Sequence, residues 1–119
     1  MSNEGEVHQV EISIEQAKSS IALGDALGRL GNNADFKLVF LDNYLREEPI
    51  RLTRLKAAPA MRGEEQQKAI IKSLDGIGEI IQHLGMVEAQ AEMARNALEA
   101  DEATLQELYA EEIQKGGTI

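Results

Sequence analysis

The sequence predicts an all-α protein: a helical hairpin with a long C-terminal helix, assembled as an oligomeric bundle or coiled coil. Three observations lead there. Apolar residues recur in alternating steps of three and four along most of the chain, which is the repeat of a helix face. Only two prolines, at 49 and 59, interrupt that repeat. With two Phe, two Tyr and no Trp in 119 residues, any core must be built from Leu, Ile, Val, Ala and Met. An Ala-rich interface buries little area, and at about 25 cal/mol per Å² a lone hairpin of this composition is marginal. Association with neighbours is the physical way out.

Residues 1–12 lack a helical repeat. Val10, Ile12 and Ile14 alternate with Glu11 and Ser13, which suits either an extended arm able to add to a neighbour's surface or a disordered segment. The remainder, 13–115, reads as a single helical domain. In "SIEQ", Ser13 stands at an N-cap position with Gln16 three residues on, a capping-box signature that starts a helix over about 13–30. Ile14, Ala17, Ile21, Leu23, Leu27 and Leu30 supply its apolar positions, and "GRLGNN" at 28–33 supplies a terminating glycine and turn asparagines. Gly24 and Gly28 are four apart on one face, so either a second backbone approaches there or the helix tolerates two glycines.

Asn33 can cap a second helix and Asp35 complements its dipole. Leu38, Leu41, Leu45, Glu48, Leu52 and Leu55 keep steps of three and four through Pro49, so the spacing predicts one helix over about 34–57, bent at the proline. The local cost is about 3 kcal/mol if nothing compensates for the missing N–H and the ring clash. The rival arrangement makes Glu48 a cap and Pro49 the first residue of a new helix. "AAPAMRGEE" at 57–65 reads as a loop.

From Glu64 the helical signal runs to "QKGG", giving a helix over about 64–114 with a possible break near 99–103, where Asp101 could cap a short final helix. Ile70, Leu74, Ile77, Ile81, Leu84, Ala91, Ala94, Leu98, Leu105 and Leu108 form a near-heptad stripe, interrupted at Glu88 and at the acids 101–102. Unbroken, this helix would be roughly 75 Å long, about twice the helix before it. The second half of its stripe therefore needs another cover, either helix 13–30 or a neighbouring subunit. Leu74, Ile77, Ile81, Leu84, Ala91, Leu98 and Leu105 are the expected helix-interface residues. Gly78 and Gly85, seven apart on one side, are a candidate crossing point for another helix.

Composition excludes several classes. With no Cys, disulfides and thiolate metal sites are ruled out. The N-terminus carries acids where a secretory signal has basic residues, and no apolar run approaches the roughly 20 residues of a membrane span, so a soluble intracellular protein is expected. A net charge of −9 argues against general nucleic-acid binding, which needs clustered Lys and Arg. The charge is also polarised along the chain. Residues 46–72 hold seven basic residues against four acids, and residues 86–115 hold eight acids against two basic residues. Arg46, Arg51, Arg54 and Lys56 form the candidate basic patch, which can meet acidic C-terminal segments, meet phosphate, or simply be solvated.

Asp75, Glu79 and His83 lie four apart in series, but they lack the Glu-x-x-His spacing of a di-iron bundle, so no metal and no cofactor is expected. No nucleophile stands in a recognisable catalytic setting and no glycine loop cradles phosphate, so the chain is read as non-enzymatic.

The segments "NADFKLVFLDNYLREEPIRLTRLKAAP", "AIIKSLDGIGEIIQHL" and "EADEATLQELYAEE" together resemble a group of small acidic all-helical proteins of tailed bacteriophages, a group with no assigned activity. The likeness spans about residues 13–112, rests on an overall pattern, and Pro49 departs from it. It implies phage origin and synthesis in the host cytoplasm. Joined to the uncovered stripe, it gives the expected function: a helical protein of virion assembly or a minor virion component, acting through self-association or binding to other virion proteins. The alternative is an acidic inhibitor of a host defence or nucleic-acid-binding protein. A third is an oligomer that sequesters small phosphorylated molecules on Arg51 and Arg54.

Overall fold

A computed structural model describes residues 3–117, which are almost entirely helical and contain no strand. In order come α1 (Glu4–Gly31), α2 (Ala34–Phe36), a π-wound stretch (Lys37–Glu47), α3 (Glu48–Ala57), a 3₁₀ turn (Pro59–Met61) and α4 (Glu64–Gly117). Contacts divide the chain into two compact units where one domain was expected. The first joins the residues up to Asp25 with those from Val87, and the second is Ala26–Met86.

In the first unit the early part of α1 runs antiparallel to the late part of α4. Asn3 Nδ2 donates to the Leu108 carbonyl at 3.1 Å, Tyr109 donates to Glu11 at 3.0 Å, and Arg95 pairs with Asp25 at 2.7 Å. Ile14 and Ala17 of α1 are buried, as are Val87, Ala91, Ala94 and Leu108 of α4. The small residues bring the backbones close. A Cβ built on Gly24 would lie 2.3 Å from the Cβ of Ala91 and 3.9 Å from the Val87 carbonyl oxygen. Of the two glycines noted in this helix, only Gly24 meets another backbone, because Gly28 has nothing within 4 Å.

Three expectations are corrected here. The helix begins at Glu4, so residues 4–12 are neither an extended arm nor a disordered one; residues 1 and 2 of that segment lie outside the described residues. Val7, Val10, Ile14, Ala17 and Ile21 continue one helical face in steps of three and four, and this face, covered by α4, outweighs the two-residue alternation. Ser13 is consequently no cap. Its hydroxyl donates to Asp101 at 2.5 Å, across the helix pair. Asp101 in turn starts no new helix, and α4 passes through 99–103 without a break.

The second unit is a helical hairpin built around Leu52, Ile70 and Ile77, with Leu45, Leu55, Met61 and Leu74 packed against them. Asn33 caps α2 as its sequence position suggests, accepting from the Phe36 N–H at 2.9 Å. At Pro49 both sequence alternatives contribute. The backbone stays helical through Glu47 and Glu48, so there is no turn, yet the hydrogen-bond register changes there. The Glu48 N–H reaches back five residues to the Asn43 carbonyl, and the next donor in that register would be Pro49, which has none. The wide winding therefore stops and α3 begins with the proline in its first turn, where a missing N–H costs little.

The loop after α3 is held by one side chain. Gln67 Nε2 donates to the Lys56 carbonyl at 2.9 Å and to the Met61 carbonyl at 2.6 Å. It thereby satisfies acceptors that the end of α3 and the 3₁₀ turn leave open.

Candidate functional site

The expected helix-interface residues occupy different environments. Ile77 and Ala91 are buried; Leu74, Leu84, Leu98 and Leu105 are half-buried. Ile81 is 47% exposed, and Ile80 takes the inward position beside it. Val87 is buried next to Glu88, so the stripe has no gap at that point. Read as Ile70, Leu74, Ile77, Ile80, Leu84, Val87, Ala91, Ala94, Leu98, Asp101, Leu105 and Leu108, the least exposed row of α4 keeps steps of three and four throughout. Asp101 is its one charged member, and the Ser13 hydroxyl satisfies one of its oxygens.

The four basic patch residues are only partly gathered. Arg51 and Arg54 line one shallow hollow of about 310 Å³ with Asn43, Glu47, Glu48 and Ile50; Arg46 and Lys56 do not line it. Arg51 is committed to Glu48, whose carboxylate accepts from both Nε and Nη2. That hydrogen bond holds the Glu48 carboxyl below its ordinary pKa, its charge attraction adds to the effect, and the Arg51 guanidinium is correspondingly raised. Arg46 lies 3.7 Å from Glu47. Arg54 is left without an ion-pair partner among the described residues, one helical turn beyond the half-exposed Ile50.

A second hollow, of about 410 Å³, opens in the first unit between the start of α1 and the end of α4. Glu4, Glu11 and Glu112 surround Tyr109 and Val7, with Asn3 and His8 completing the lining. The Tyr109 hydroxyl donates to Glu11 Oε1, and the Asn3 N–H donates to Glu112 Oε1 at 3.3 Å. The bond to Glu11 pushes the Tyr109 pKa up, assisted by desolvation and by the negative charge. The rim is acidic, the centre apolar.

Sequence reasoning missed an aromatic ladder. Phe36 and Phe40 have ring centroids 5.1 Å apart, and Phe40 and Tyr44 are 5.8 Å apart, so three of the four aromatic side chains share one side of α2 and the π-wound stretch. Their spacing of four was the available signal. Phe36 also lines a groove of about 490 Å³ with Ala26, Arg29, Leu30 and Asn33.

Among the described residues no group of three or more His, Asp or Glu side chains is placed to hold a metal ion, the Asp75, Glu79 and His83 series included. No helix among them is long and apolar enough to cross a membrane. The chain matches no family model, no curated protein and no solved structure.

The charge division is sharper by unit than by sequence window. The first unit holds thirteen acids against three basic residues, a net −10, and the second holds nine basic residues against eight acids, a net +1. Charged rims around partly exposed apolar centres suit the docking of another macromolecule.

Proposed function

We propose that this chain is a non-enzymatic interaction protein that works by helix-mediated self-association, and through it in the virion assembly of a tailed bacteriophage or as a minor virion component. The observation that carries the reading is the number of large apolar side chains left at the surface. Leu38, Val39, Met93 and Ile113 are each about two-thirds exposed or more, and Ile71, Ile81 and Met86 lie close to half exposed along α4. Beside so few fully buried side chains, this much exposed apolar surface favours a partner. The phage setting is supported by the resemblance noted above.

Sedimentation of the full chain at micromolar concentration tests the association, and a monomer there would overturn it. Ile81→Asp is a clean probe because Ile81 is outside the core: the variant should keep its helicity and lose association. An unchanged oligomer would remove α4's outer side from the contact. Mass spectrometry of purified particles tests the virion role, where the protein should be found in stoichiometric amounts.

The net −10 of the first unit favours a second reading, in which an acid-rich helix pair occupies the basic site of a host defence or nucleic-acid-binding protein. Such an inhibitor is expressed early and is absent from particles.

A further inference from the structure

Within the first unit, the two sides of the α1–α4 seam carry different kinds of residue. The seam runs in steps of three and four from Val10 to Gly24 in α1 and from Ala91 to Leu105 in α4. One residue before its positions stand Gln9, Ser13, Gln16, Ser20 and Leu23 in α1. In α4 the same places hold Gln90, Met93, Ala97, Ala100 and Thr104. None of these ten is charged. One residue after the seam positions, eight of ten are charged, all but Ala22 and Gln106. Residues before and after a seam position lie about 100° round the helix to either side of it, and in an antiparallel pair like positions share a side. The contacts agree. Arg95 to Asp25 and Tyr109 to Glu11 cross the charged side, whereas Ser13, Gln16, Ser20, Gln90, Met93 and Ala97 line one groove of about 300 Å³ on the other.

We infer that this uncharged side is a contact between two copies of the chain, which pair through it about a two-fold axis into a four-helix arrangement. The pairing rests on the self-association proposed above and adds a surface to it, since Ile81 lies in the second unit.

Charge selects a second copy. The unit is net −10, so copies meeting by the other side would set acid against acid, whereas here they meet with those charges turned away. A helix pair with water on both sides has no need to clear charge from one of them. The one charged seam residue, Asp101, accepts from the Ser13 hydroxyl at the groove wall. The side is also self-complementary in form. Met93 lines the groove yet is 69% exposed, and the walls around it are the short Ser13, Ser20, Ala94 and Ala97. Under a two-fold axis Met93 of each copy enters the groove of the other, and its flexible thioether chain suits such a gap.

The extent of the surface fits a weak, reversible pair. From Gln90 to Thr104 is about 21 Å along the helix, and two helices about 8–10 Å apart present a face about 20 Å wide, roughly 400 Å² on each copy. The uncharged run ends at Glu6 and Glu107, which precede the next seam positions. An area at the low end of specific contacts sets the dissociation constant at about 10–100 µM.

Sedimentation equilibrium of the full chain carrying Ile81→Asp, from about 1 to about 300 µM, separates this contact from the outer side of α4 in the second unit. A reversible monomer–dimer equilibrium is expected, with circular dichroism confirming the helix content of every variant. Ala97→Glu and Ala103→Glu add the same charge to exposed alanines of α4, the first in the groove and the second on the side away from α1. Added to Ile81→Asp, Ala97→Glu should weaken pairing about tenfold or more, because the charge is buried without a partner, and Ala103→Glu by no more than about twofold. Met93→Ser, which adds no charge, should weaken it about threefold or more. Raising salt from about 0.05 M to about 0.5 M should strengthen pairing, since it screens the repulsion between two acidic units; weakening would mean that charged sides meet and would overturn the contact. Equal effects of Ala97→Glu and Ala103→Glu would overturn it too, as would an Ile81→Asp chain that stays monomeric throughout while wild type associates; self-association would then stand without this surface. A wild-type monomer at every concentration would overturn both.

Discussion

Gly24 offers the sharpest test of how α1 and α4 pack within the first unit. In Gly24→Ala the new methyl carbon would start 2.3 Å from the Cβ of Ala91, whereas carbon atoms rest about 3.5–4.0 Å apart. The crossing must therefore open by more than about 1 Å, and neither neighbour can rotate away, because one is a methyl fixed to a helix and the other is backbone. Overpacking of this kind costs about 1–3 kcal/mol. Against it stands the gain of replacing a helical glycine, about 0.5–1 kcal/mol. Gly28→Ala lies in the same helix with nothing within 4 Å, so it collects the gain alone. The two variants should differ by about 1–3 kcal/mol, with Gly24→Ala the less stable. In a chain of 119 residues each kcal/mol moves Tm by about 4 °C. Denaturant and thermal unfolding followed by circular dichroism at one fixed protein concentration would read the difference. Adding Ala91→Gly to Gly24→Ala returns the missing space, so a double-mutant cycle should show a favourable coupling. Equal stabilisation by Gly24→Ala and Gly28→Ala would refute the close crossing.

Other perturbations probe different parts of the fold. Ile77 is the most deeply buried large side chain of the second unit at 2% exposure, so Ile77→Ala should cost about 2–5 kcal/mol in the same unfolding assays. Gln67→Ala leaves the Lys56 and Met61 carbonyls without their side-chain donor; a loss of about 1–3 kcal/mol is expected, with faster amide exchange confined to residues around 56–63. Tyr109 holds its proton more tightly than an ordinary tyrosine because Glu11 accepts its hydroxyl, so this contact stabilises the fold in full below about pH 10 and is lost as pH rises through the raised value. In a Tyr44→Phe background, ultraviolet titration should show the Tyr109 pKa falling when Glu11 is changed to Gln, and an unmoved curve would discount the bond.

How legible the fold was depended on whether a signal was local. The Asn33 cap, the helical path through Pro49 and the continuous run from Glu64 all follow from residues within one or two turns of each other, and the structure has them where the spacing puts them. The start of α1 was not legible in this way. Val10, Ile12 and Ile14 fit a two-residue alternation as well as Val7, Val10 and Ile14 fit a helical face, and only the neighbouring helix decides between them, by leaving Ile12 exposed and burying Ile14. The candidate surfaces divide similarly. The basic residues of 46–56 were visible as a cluster, but Glu47 and Glu48 had to be set beside Arg46 and Arg51 before Arg54 stood out as the unmatched charge. The acidic hollow joins residues about a hundred positions apart, and no window of sequence contains it.

By itself the sequence determined that this chain is helical and that its helices are amphipathic, because a repeat of three and four apolar steps is a property of one segment and needs no partner to exist. The tertiary structure decided the phase of that repeat wherever two apolar residues stood side by side. Ile80 turns inward and Ile81 does not, and the Gly24 backbone lies against Ala91 while Gly28 lies open. A helix face is broad enough that adjacent positions compete for the centre of the seam, and the facing helix settles which of them fits.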